Sequence, residues 1–335
     1  MKTIYFAHHR QNRFAILTVI CSLGAGLTAT TTAHAASAGR EPFNFLFLDA
    51  DARPAAMGGA YTALASDANA LLYNPAGLGL LSGHQAVLMR NQHVAEVSQD
   101  YIALSLAPGF GFFLDRLSYG SIPRTTVSEP GGVGSFTPWD QAVGVGLGRE
   151  VGGGLGLGLA AKYLASDIAG YSASGFAFDG GLLLRVPGSP LSAGLSVQNI
   201  GPPISYRSVP EPLPLNVRLG TALALDALGQ ELTLSLDASK ERSEGALFSA
   251  GAEVLLGKRT SLRAGFNGRN EAGTGFTFGI GWGYEGLGLG YAFVPMGDLG
   301  TAHRASVSWR WGQEPRVAAA DAAPEADKAL KAIRP

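Results

Sequence analysis

Bulky apolar residues alternate with small or polar residues along much of this chain. In the stretch from Gly275 to Tyr284, phenylalanine, isoleucine, tryptophan and tyrosine hold every second position, and glycine or threonine holds the others. A period of two residues predicts a β-strand whose two faces differ. Glycine usually weakens a strand, and a soluble sheet normally has a polar outer face. The pattern therefore predicts something other than an ordinary water-facing sheet.

The same alternation recurs in the stretches ELTLSLDAS, RASVSWRW, GFAFDGGLLLR and GLGLGLAAKY. Such segments number about fourteen when strand edges are allowed an uncertainty of about two to four residues. Their predicted starting points are Gln85, Gln99, Phe110, Gln141, Gly154, Gly175, Leu191, Asn216, Gln230, Leu247, Thr260, Gly273, Leu287 and Arg304.

The connections between these segments alternate in length. Short joins such as APG, VGGG, YEGLG and DALGQ separate longer ones, for which we take residues 121–140, 166–174 and 199–215 as examples. Outer-membrane barrels have an even number of strands, short periplasmic turns and longer outer loops. The sequence therefore predicts an all-β membrane protein, an antiparallel barrel of about 14 strands. Its apolar face would meet lipid, its small or polar face would line the interior, and both ends of the barrel would lie on the periplasmic side.

The first 35 residues have the features of a secretory signal peptide. A basic start with Lys2, Arg10 and Arg13 precedes the apolar stretch 14–27, and Ala33-His34-Ala35 is a small-residue cleavage site, so we expect cleavage near Ala35. The single cysteine lies within this segment, so no thiol or disulfide is expected afterwards. Removing its three basic residues from a total of 25 basic and 26 acidic leaves a net charge of about −4. That balance gives no basic surface for nucleic acid.

Residues 36–82, here called the N-terminal segment, depart from the alternating pattern. They are rich in small residues, with helical spacing of apolar side chains, and Asp67 and Asn69 are expected to cap the turn that follows. Asn74-Pro75 favours the start of a turn. We expect either a soluble lead-in or a compact plug in the barrel lumen. The predicted organisation is thus a signal peptide (1–35), the N-terminal segment (36–82), a barrel (83–312) and a tail (313–335).

Motifs at both ends of the predicted barrel resemble a known family. The runs AMGGAY from Ala56, DANA from Asp67 and NPAGL from Asn74 look like the N-terminal signature of PorV/PorQ-family outer-membrane proteins, and PMGDLGTAHRASVSWRW from Pro295 resembles their closing hairpin. That family is related to the FadL-type fatty-acid transporters. The motif residues that carry the resemblance are Gly58, Gly59, Asp67, Asn69, Asn74, Pro75, Ala76 and Gly77.

One feature departs from this resemblance. Barrels of this kind commonly end at an aromatic residue of the last strand, whereas here Trp311 is followed by an alanine-, proline- and charge-rich tail. Its composition predicts a disordered or weakly helical periplasmic extension, with partner binding as the alternative.

The sequence indicates no catalytic centre, metal site or cofactor. The three histidines after residue 35 are far apart, and no G-x-S-x-G motif is present, so a non-enzymatic protein is predicted. Alternation instead places a set of charges in the lumen, either paired with one another or forming a polar pathway or a plug-holding network. These charges are Asp179, Arg185, Arg218, Asp237, Glu253, Arg263, Arg304 and Arg310.

Three functions fit these observations. The resemblance implies a FadL-like barrel that passes or binds a hydrophobic small molecule, or a PorV-like adaptor that binds exported proteins in a type IX-like secretion system. A structural barrel is the third possibility. The expected partners are outer-membrane lipid and either a hydrophobic ligand or secretion-machinery proteins.

Overall fold

A computed structural model describes residues 41–227 and 229–312. The signal peptide and the tail predicted above lie outside the described residues. Fourteen antiparallel strands close into one barrel, in which each barrel strand pairs with the next one along the chain and the last pairs with the first. The fourteen-stranded outer-membrane barrel predicted from the sequence is therefore confirmed.

The predicted strand starts agree with the structure to within about four residues. The barrel strands are β1 (His84–Gln92), β2 (Ser98–Leu106), β3 (Phe110–Ser118), β6 (Trp139–Glu150), β7 (Leu155–Ile168), β8 (Tyr171–Arg185), β9 (Leu191–Ile200), β10 (Asn216–Ala227), β11 (Gln230–Glu241), β12 (Ala246–Leu256), β13 (Thr260–Asn267), β14 (Phe276–Tyr284), β15 (Leu287–Pro295) and β16 (Thr301–Trp311). Two short strands, β4 (Ile122–Pro123) and β5 (Ser135–Phe136), pair with each other inside the connection between β3 and β6.

The two ends of the barrel differ. At one end, called here the short-turn end, β1 begins, β16 ends, and turns such as 107–109 and 285–286 join the strands. The other, the long-loop end, carries the connections 119–138, 201–215 and 268–275. The expected loop at 166–174 is wrong. β7 and β8 continue into a hairpin that turns at Ala169 and Gly170, where both residues have positive φ.

The outer surface of the barrel is apolar. Large side chains such as Leu159, Phe276 and Trp309 are 70%, 55% and 59% exposed and point outward. The outward-facing charges of the strands are all near strand ends, at Arg90, Asp100, Arg116, Arg149, Asp167 and Lys240. Such a belt matches the lipid-facing surface of outer-membrane barrels, where a charge at mid-depth costs about 2–4 kcal/mol for Arg or Lys. No helix among residues 41–227 and 229–312 is long and apolar enough to cross a membrane.

The N-terminal segment crosses the lumen from one end to the other. Glu41 accepts a hydrogen bond from Ser243 at the long-loop end, and Leu81 leads into β1 at the short-turn end. Between them lie two short α-helices, α1 (Ala52–Ala56) and α2 (Ala70–Tyr73), and two 3₁₀ helices, Asn44–Phe47 and Pro75–Leu80.

Of the two residues predicted to cap the turn at α2, Asp67 accepts a backbone hydrogen bond there and Asn69 does not. The Asp67 carboxylate accepts a hydrogen bond from the Asn69 backbone N–H at 3.0 Å, as a turn-starting Asp does. Asn69 makes no side-chain cap bond. Its amide instead donates to the carboxylate of Asp51 at 2.8 Å, because the chain folds back and places α1 beside it.

One barrel interface is irregular. Between β8 and β9 the pairing passes from Phe178 opposite Ile200 to Gly180 opposite Val197, so β9 carries an extra residue. This β-bulge contains Asn199 at a φ of 62°. Beyond it, the loop 201–215 lies over the end of β8, where Ile204 packs against Gly175.

Candidate functional site: the occupied barrel lumen

Glycines of the barrel wall bring the N-terminal segment into backbone contact on one side. The 3₁₀ helix Pro75–Leu80 lies against Gly148, Gly156 and Gly158 of β6 and β7. A Cβ at Gly158 would collide with the backbone of Pro75, and a Cβ at Gly156 would come within 2.6 Å of the Ala76 carbonyl oxygen. Only glycine allows a neighbouring backbone so near.

A second set of glycines receives the turn that follows α1. Gly265 of β13 faces the backbone of Met57 and Gly58, and Gly279 of β14 faces the side chain of Ala56. The hydroxyl of Thr277, on the same face of β14, donates to the Ala56 carbonyl at 3.1 Å. At Thr277 and Gly279 the small face of the 275–284 stretch is therefore a surface against which the N-terminal segment packs, whereas Gly281 and Gly283 line the cavity at the short-turn end.

An arginine of the N-terminal segment is the centre of a charged network. Arg53 donates to both carboxylate oxygens of Glu253 at 3.0 and 2.7 Å, and to the Tyr61 hydroxyl at 2.9 Å. Tyr61 in turn donates to Asp67 at 2.6 Å, and Arg263 donates to Glu253 at 2.5 Å. Bidentate geometry of this kind makes the strongest side-chain ion pairs. The network ties α1 and the Asp67 turn to strands β12 and β13.

A second network joins the segment to β10 and β11. The Asp237 carboxylate accepts hydrogen bonds from the backbone of Tyr61 and Thr62 at 3.1 and 3.0 Å and from the Thr62 hydroxyl at 2.6 Å. Arg218 donates to Asp237 at 3.0 Å and to the Gly59 carbonyl at 2.5 Å. The wall thus supplies partners for backbone groups that the irregular segment leaves unpaired.

Three further hydrogen bonds involve Asp49 of the segment, two of them from the barrel wall. Arg304 of β16 donates to the Asp49 carbonyl at 3.1 Å. The Asp49 carboxylate accepts from the Tyr73 hydroxyl at 2.7 Å and from the Asn267 amide at 3.2 Å.

A buried ion pair occupies the bulge between β8 and β9. Lys162 lies 2.8 Å from Asp179, and their side chains are 3% and 0% exposed. Asp179 also accepts from the Asn199 backbone at 2.8 Å, while the Asn199 amide donates to the Pro214 carbonyl at 2.8 Å. The group fixes the bulge and anchors the loop 201–215.

The predicted motif residues are spread along the segment rather than gathered at one point. Gly58 and Gly59 lie in the turn after α1, and both have positive φ. Asn74 caps the second 3₁₀ helix by accepting from the Ala76 N–H, and its amide donates to the carbonyls of Thr62 and Leu182. Gly77 packs against the Ala65 carbonyl.

The predicted lumen-facing charges fall into two groups. Six of the eight take part in the contacts just described. Arg185 and Arg310 lie at the short-turn end, where the Arg185 guanidinium donates to the Leu80 carbonyl at 3.4 Å. Sequence reasoning missed Lys162, Arg53 and Asp49. The alternation of side chains along β7 would have predicted that Lys162 faces the lumen. No such alternation is present around Arg53 and Asp49.

The lumen wall has an apolar sector that the sequence-based rule did not predict. In β1–β3 the inward positions include Val87, Met89, Tyr101, Phe113 and Leu117, all buried against the N-terminal segment. The expectation of a small or polar inner face is therefore wrong at these five positions, where the packed segment covers large apolar side chains. The same strands also carry inward polar residues, as expected, at Gln85, Asn91, Gln99, Ser105 and Asp115.

A cavity of about 910 Å³ opens at the short-turn end. Serine, threonine and charged side chains from strands β11–β16 line one part of it, and the N-terminal segment lines the rest, including Asp51, Arg53 and Asp67. Its rim carries four basic residues, Arg185, Lys258, Arg259 and Arg310, and two acidic ones, Glu231 and Glu285.

Burial shifts the pKa of ionisable groups at the long-loop end, and His93 and Glu41 are two of them. Burial lowers the pKa of His93 to about 4, with a smaller contribution from the charge of Arg304. Burial raises the pKa of Glu41, against the opposing effects of its hydrogen bond from Ser243 and the charges of Arg242 and Arg269.

In the described part of the chain, no group of three or more His, Cys, Asp or Glu side chains has an arrangement that could hold a metal ion. What the lumen offers chemically is a packed interface, ion-paired on one side and apolar on the other.

Comparison with solved structures places the fold among outer-membrane barrels. The toluene transporter TodX of Pseudomonas putida is similar with a TM-score of 0.50 and 12% identity, over 77% of this chain and 96% of that one. A FadL homologue from Pseudomonas aeruginosa gives 0.47 and 11% over 77% and 96%, and the monoaromatic hydrocarbon channel CymD gives 0.46 and 11% over 76% and 94%. At these identities the likeness concerns the barrel fold alone. No protein-family model and no curated protein matches the sequence.

Proposed function

We propose that this protein is an outer-membrane barrel that binds or passes a hydrophobic small molecule, with the N-terminal segment as its plug. The observation that carries the proposal is a difference between two sectors of the lumen: at β1–β3 large apolar side chains face the segment and few hydrogen bonds join the two, whereas at β10–β16 the segment is held by ion pairs. The two sectors hold the same segment by different forces, so they respond differently to a hydrophobic ligand.

On the ion-paired side, separation is costly. Moving α1 away from β12 would leave Glu253 and Arg53 partly buried without each other, and breaking such a pair costs about 3–5 kcal/mol when it is fully buried. Arg53 is 26% exposed, so the cost here is towards the low end of that range or below it. This side acts as the anchor.

On the apolar side, a hydrophobic molecule can replace the existing contacts. Val87, Tyr101 and Phe113 contact the segment chiefly through carbon atoms, and the polar links there are a Gln85 hydrogen bond to Ala68 and a long one from Tyr101. Exchanging one apolar neighbour for another leaves few polar groups without partners. The apolar seam is therefore the proposed route.

The entry to this seam lies beneath the outer loops. Phe43, Phe45, Ile204 and Leu213 belong to the same buried cluster and lie where the N-terminal segment meets the loop 201–215. The similarity of the fold to a toluene transporter is consistent with an aromatic or aliphatic hydrocarbon as ligand.

Uptake of radiolabelled toluene and oleate by cells producing the protein tests this proposal. We expect faster uptake than in cells that lack it, and no change for maltose, because the seam is apolar.

Arg53→Ala should raise single-channel conductance in planar bilayers by loosening the anchor, whereas Arg90→Ala, in an exposed pair with Asp100 at 2.5 Å, should not. Heat-modifiable gel mobility checks that each barrel is folded. Equal uptake with and without the protein would reject the transport proposal.

A secretion adaptor of PorV/PorQ type is the second candidate. The observation in its favour is the exposed apolar surface of the loop 119–138, where Ile122, Val127 and Val133 are 40%, 105% and 49% exposed. Exposed apolar residues on outer loops are typical of protein-binding surfaces. Deleting residues 122–136 should abolish co-purification of exported proteins if this candidate is correct, and should leave uptake of toluene unchanged.

A further inference from the structure

The wall of the short-turn cavity includes a patch of glycine backbone on β14 and β15. Gly281 and Gly283 of β14 line the cavity together with Gly288 and Gly290 of β15. Gly281 is paired with Gly290, and Gly283 with Gly288, so the four residues form one surface, here called the glycine floor. Glycine has no Cβ, so a ligand can approach the backbone closely on this floor.

Two side chains with unused hydrogen-bond donors lie on the glycine floor. A Cβ at Gly281 would be 2.7 Å from both Nη atoms of Arg263, and a Cβ at Gly290 would be 2.6 Å from the Ser306 hydroxyl. Arg263 donates to Glu253 from Nε, but in the described part of the chain its Nη atoms and the Ser306 hydroxyl have no hydrogen-bond partner. The Arg263 side chain and Ser306 are each only 9% exposed. Since buried donors without partners are costly, this arrangement points to a ligand that accepts hydrogen bonds.

The two donors are close enough to share one oxyanion. Gly281 and Gly290 face each other across β14 and β15, and the Cβ positions of such residues lie about 4.5–5.5 Å apart. An oxygen atom at hydrogen-bond length from each donor, about 2.7–3.2 Å, spans that separation. The Ser308 hydroxyl over Gly288 and the guanidinium of Arg310 extend the surface towards the cavity mouth. Among the described residues, the Arg310 guanidinium makes no hydrogen bond or ion pair.

The charges around the cavity are nearly balanced, but most of the acids already have partners. Six arginine or lysine and five aspartate or glutamate side chains line it. Glu253 is held by two arginines, and Asp51 and Asp67 each accept two hydrogen bonds from the N-terminal segment. The remaining acids, Glu231 and Glu285, lie on β11 and in the β14–β15 turn. The residues of β13–β16 that line the cavity include two arginines and no acid, so the floor itself is positive.

We propose that the glycine floor binds the oxyanion group, a phosphate or carboxylate, of a small hydrophilic solute that enters from the short-turn end. Arg263 and Arg310 supply positive charge and N–H donors, and Ser306 and Ser308 supply hydroxyl donors. The cavity volume of about 910 Å³ is in the range of small-molecule sites. This inference goes beyond the proposed function and is independent of it, because the site uses no residue of the apolar seam.

Titration of the purified, folded full-length protein with inorganic phosphate tests the site, followed by phosphorus NMR in a phosphorus-free detergent. We expect saturable binding that Arg310→Gln weakens by about tenfold, because charge-assisted hydrogen bonds are lost. Arg263→Gln should weaken binding at least as much, but it also breaks the pair with Glu253, so Arg310→Gln is the decisive variant. Gel mobility confirms that each variant is folded.

The control for this titration is Arg149→Gln, which removes the same charge at the same end of the barrel from the outward face of β6. It should leave phosphate binding unchanged. Absence of saturable binding by the unmodified protein, or equal binding by the Arg310 and Arg149 variants, would overturn the proposal.

Competition distinguishes a soluble solute from a lipid headgroup. Glycerol phosphate should displace inorganic phosphate, whereas short-chain phosphatidylglycerol should not, because serine, threonine and charged side chains line much of the cavity and offer little surface for acyl chains. Displacement by the lipid alone would overturn the assignment to a hydrophilic solute.

Cysteine labelling locates the bound anion without changing the arginines. The sequence after residue 35 contains no cysteine, so Ser308→Cys on β16 can be compared with Ser192→Cys on β9, which lines the same cavity. At matched ionic strength, phosphate should slow the reaction of Ser308→Cys with a negatively charged thiosulfonate several-fold and leave Ser192→Cys unchanged. Equal slowing at both positions would contradict a site on the glycine floor.

Discussion

At the scale of single residues, glycine and arginine have opposite roles in the lumen. Glycine allows the backbone of the N-terminal segment to lie directly on the wall, and arginine links the segment to the wall across the remaining gaps. Arg53, Arg218 and Arg304 each reach a group on the other side of the interface. The planar guanidinium suits this role because it offers several donors in fixed directions.

Adding one methyl group to a wall glycine tests the close packing. Gly158→Ala should destabilise the docked N-terminal segment by about 1–3 kcal/mol, because the new Cβ collides with the Pro75 backbone. Gly283→Ala is the matched control, because the nearest atom to a Cβ there is 3.8 Å away. Limited proteolysis of the segment and urea unfolding in lipid vesicles would measure the difference. Equal stability of the two variants would refute close packing at Gly158.

His93 predicts a pH dependence at the long-loop end. Its pKa is lowered to about 4 in the folded protein, whereas an unfolded histidine titrates near about 6.5, so the unfolded state binds more protons between these values. The contribution to stability is complete above about pH 6.5 and falls as the pH decreases towards 4. NMR titration of the His93 ring should give a midpoint near 4. His93→Gln should weaken the pH dependence of unfolding in this window, and a midpoint near 6.5 would contradict burial.

At the scale of elements, the bulge between β8 and β9 depends on a buried charge pair. Strand β8 extends beyond its pairing with β9, and the Lys162–Asp179–Asn199 group connects it to the loop 201–215. This loop covers the buried cluster where we place the entry for a ligand.

Removing one partner of this pair should be worse than removing both. Lys162→Met leaves Asp179 buried and unpaired, which should destabilise the protein by about 3–5 kcal/mol. The double variant Lys162→Met with Asp179→Leu should recover much of that loss, since no buried charge remains. Arg90→Met at the exposed Arg90–Asp100 pair is the control and should change stability by about 1 kcal/mol or less. Urea unfolding in vesicles checks all three, and a double variant no better than the single one would argue against charge burial as the cause.

At the scale of the whole molecule, the two ends of the barrel differ, and this difference predicts the orientation of the barrel in the membrane. Loops that differ in length at the two ends predict that the long-loop end faces outward and the short-turn end faces the periplasm. In that orientation the described part of the N-terminal segment runs from Glu41 near the cell surface to Leu81 at the periplasmic end.

Cysteine labelling of whole cells tests the orientation. Val127→Cys in the loop 119–138 should react with a membrane-impermeant maleimide, because that side chain is fully exposed. Glu285→Cys in the β14–β15 turn should react only after the cells are permeabilised. The reverse result would mean that the barrel is inserted the other way round.

The sequence by itself determined the barrel. A strand presents successive side chains to opposite faces in every tertiary arrangement, so the period of two residues can be read from the sequence. Turn lengths are also local properties of the sequence. Strand number, strand positions and the outward apolar belt could therefore be predicted. The prediction of a longer loop at 166–174 was wrong because small and polar residues can also form a tight hairpin. Here β7 and β8 continue up to a turn at Ala169 and Gly170.

Only the tertiary structure decided what fills the lumen. The alternation of side chains along a strand places Asp237 and Glu253 inside the barrel. It cannot show that their partners are Thr62 and Arg53, which lie about 175 and 200 positions away in the chain. Nor could it show that inward positions such as Val87, Tyr101 and Phe113 are large and apolar, since the folded segment is what buries them. The N-terminal segment lacks the period-two alternation of the strands, and where it lies depends on the barrel wall against which it packs.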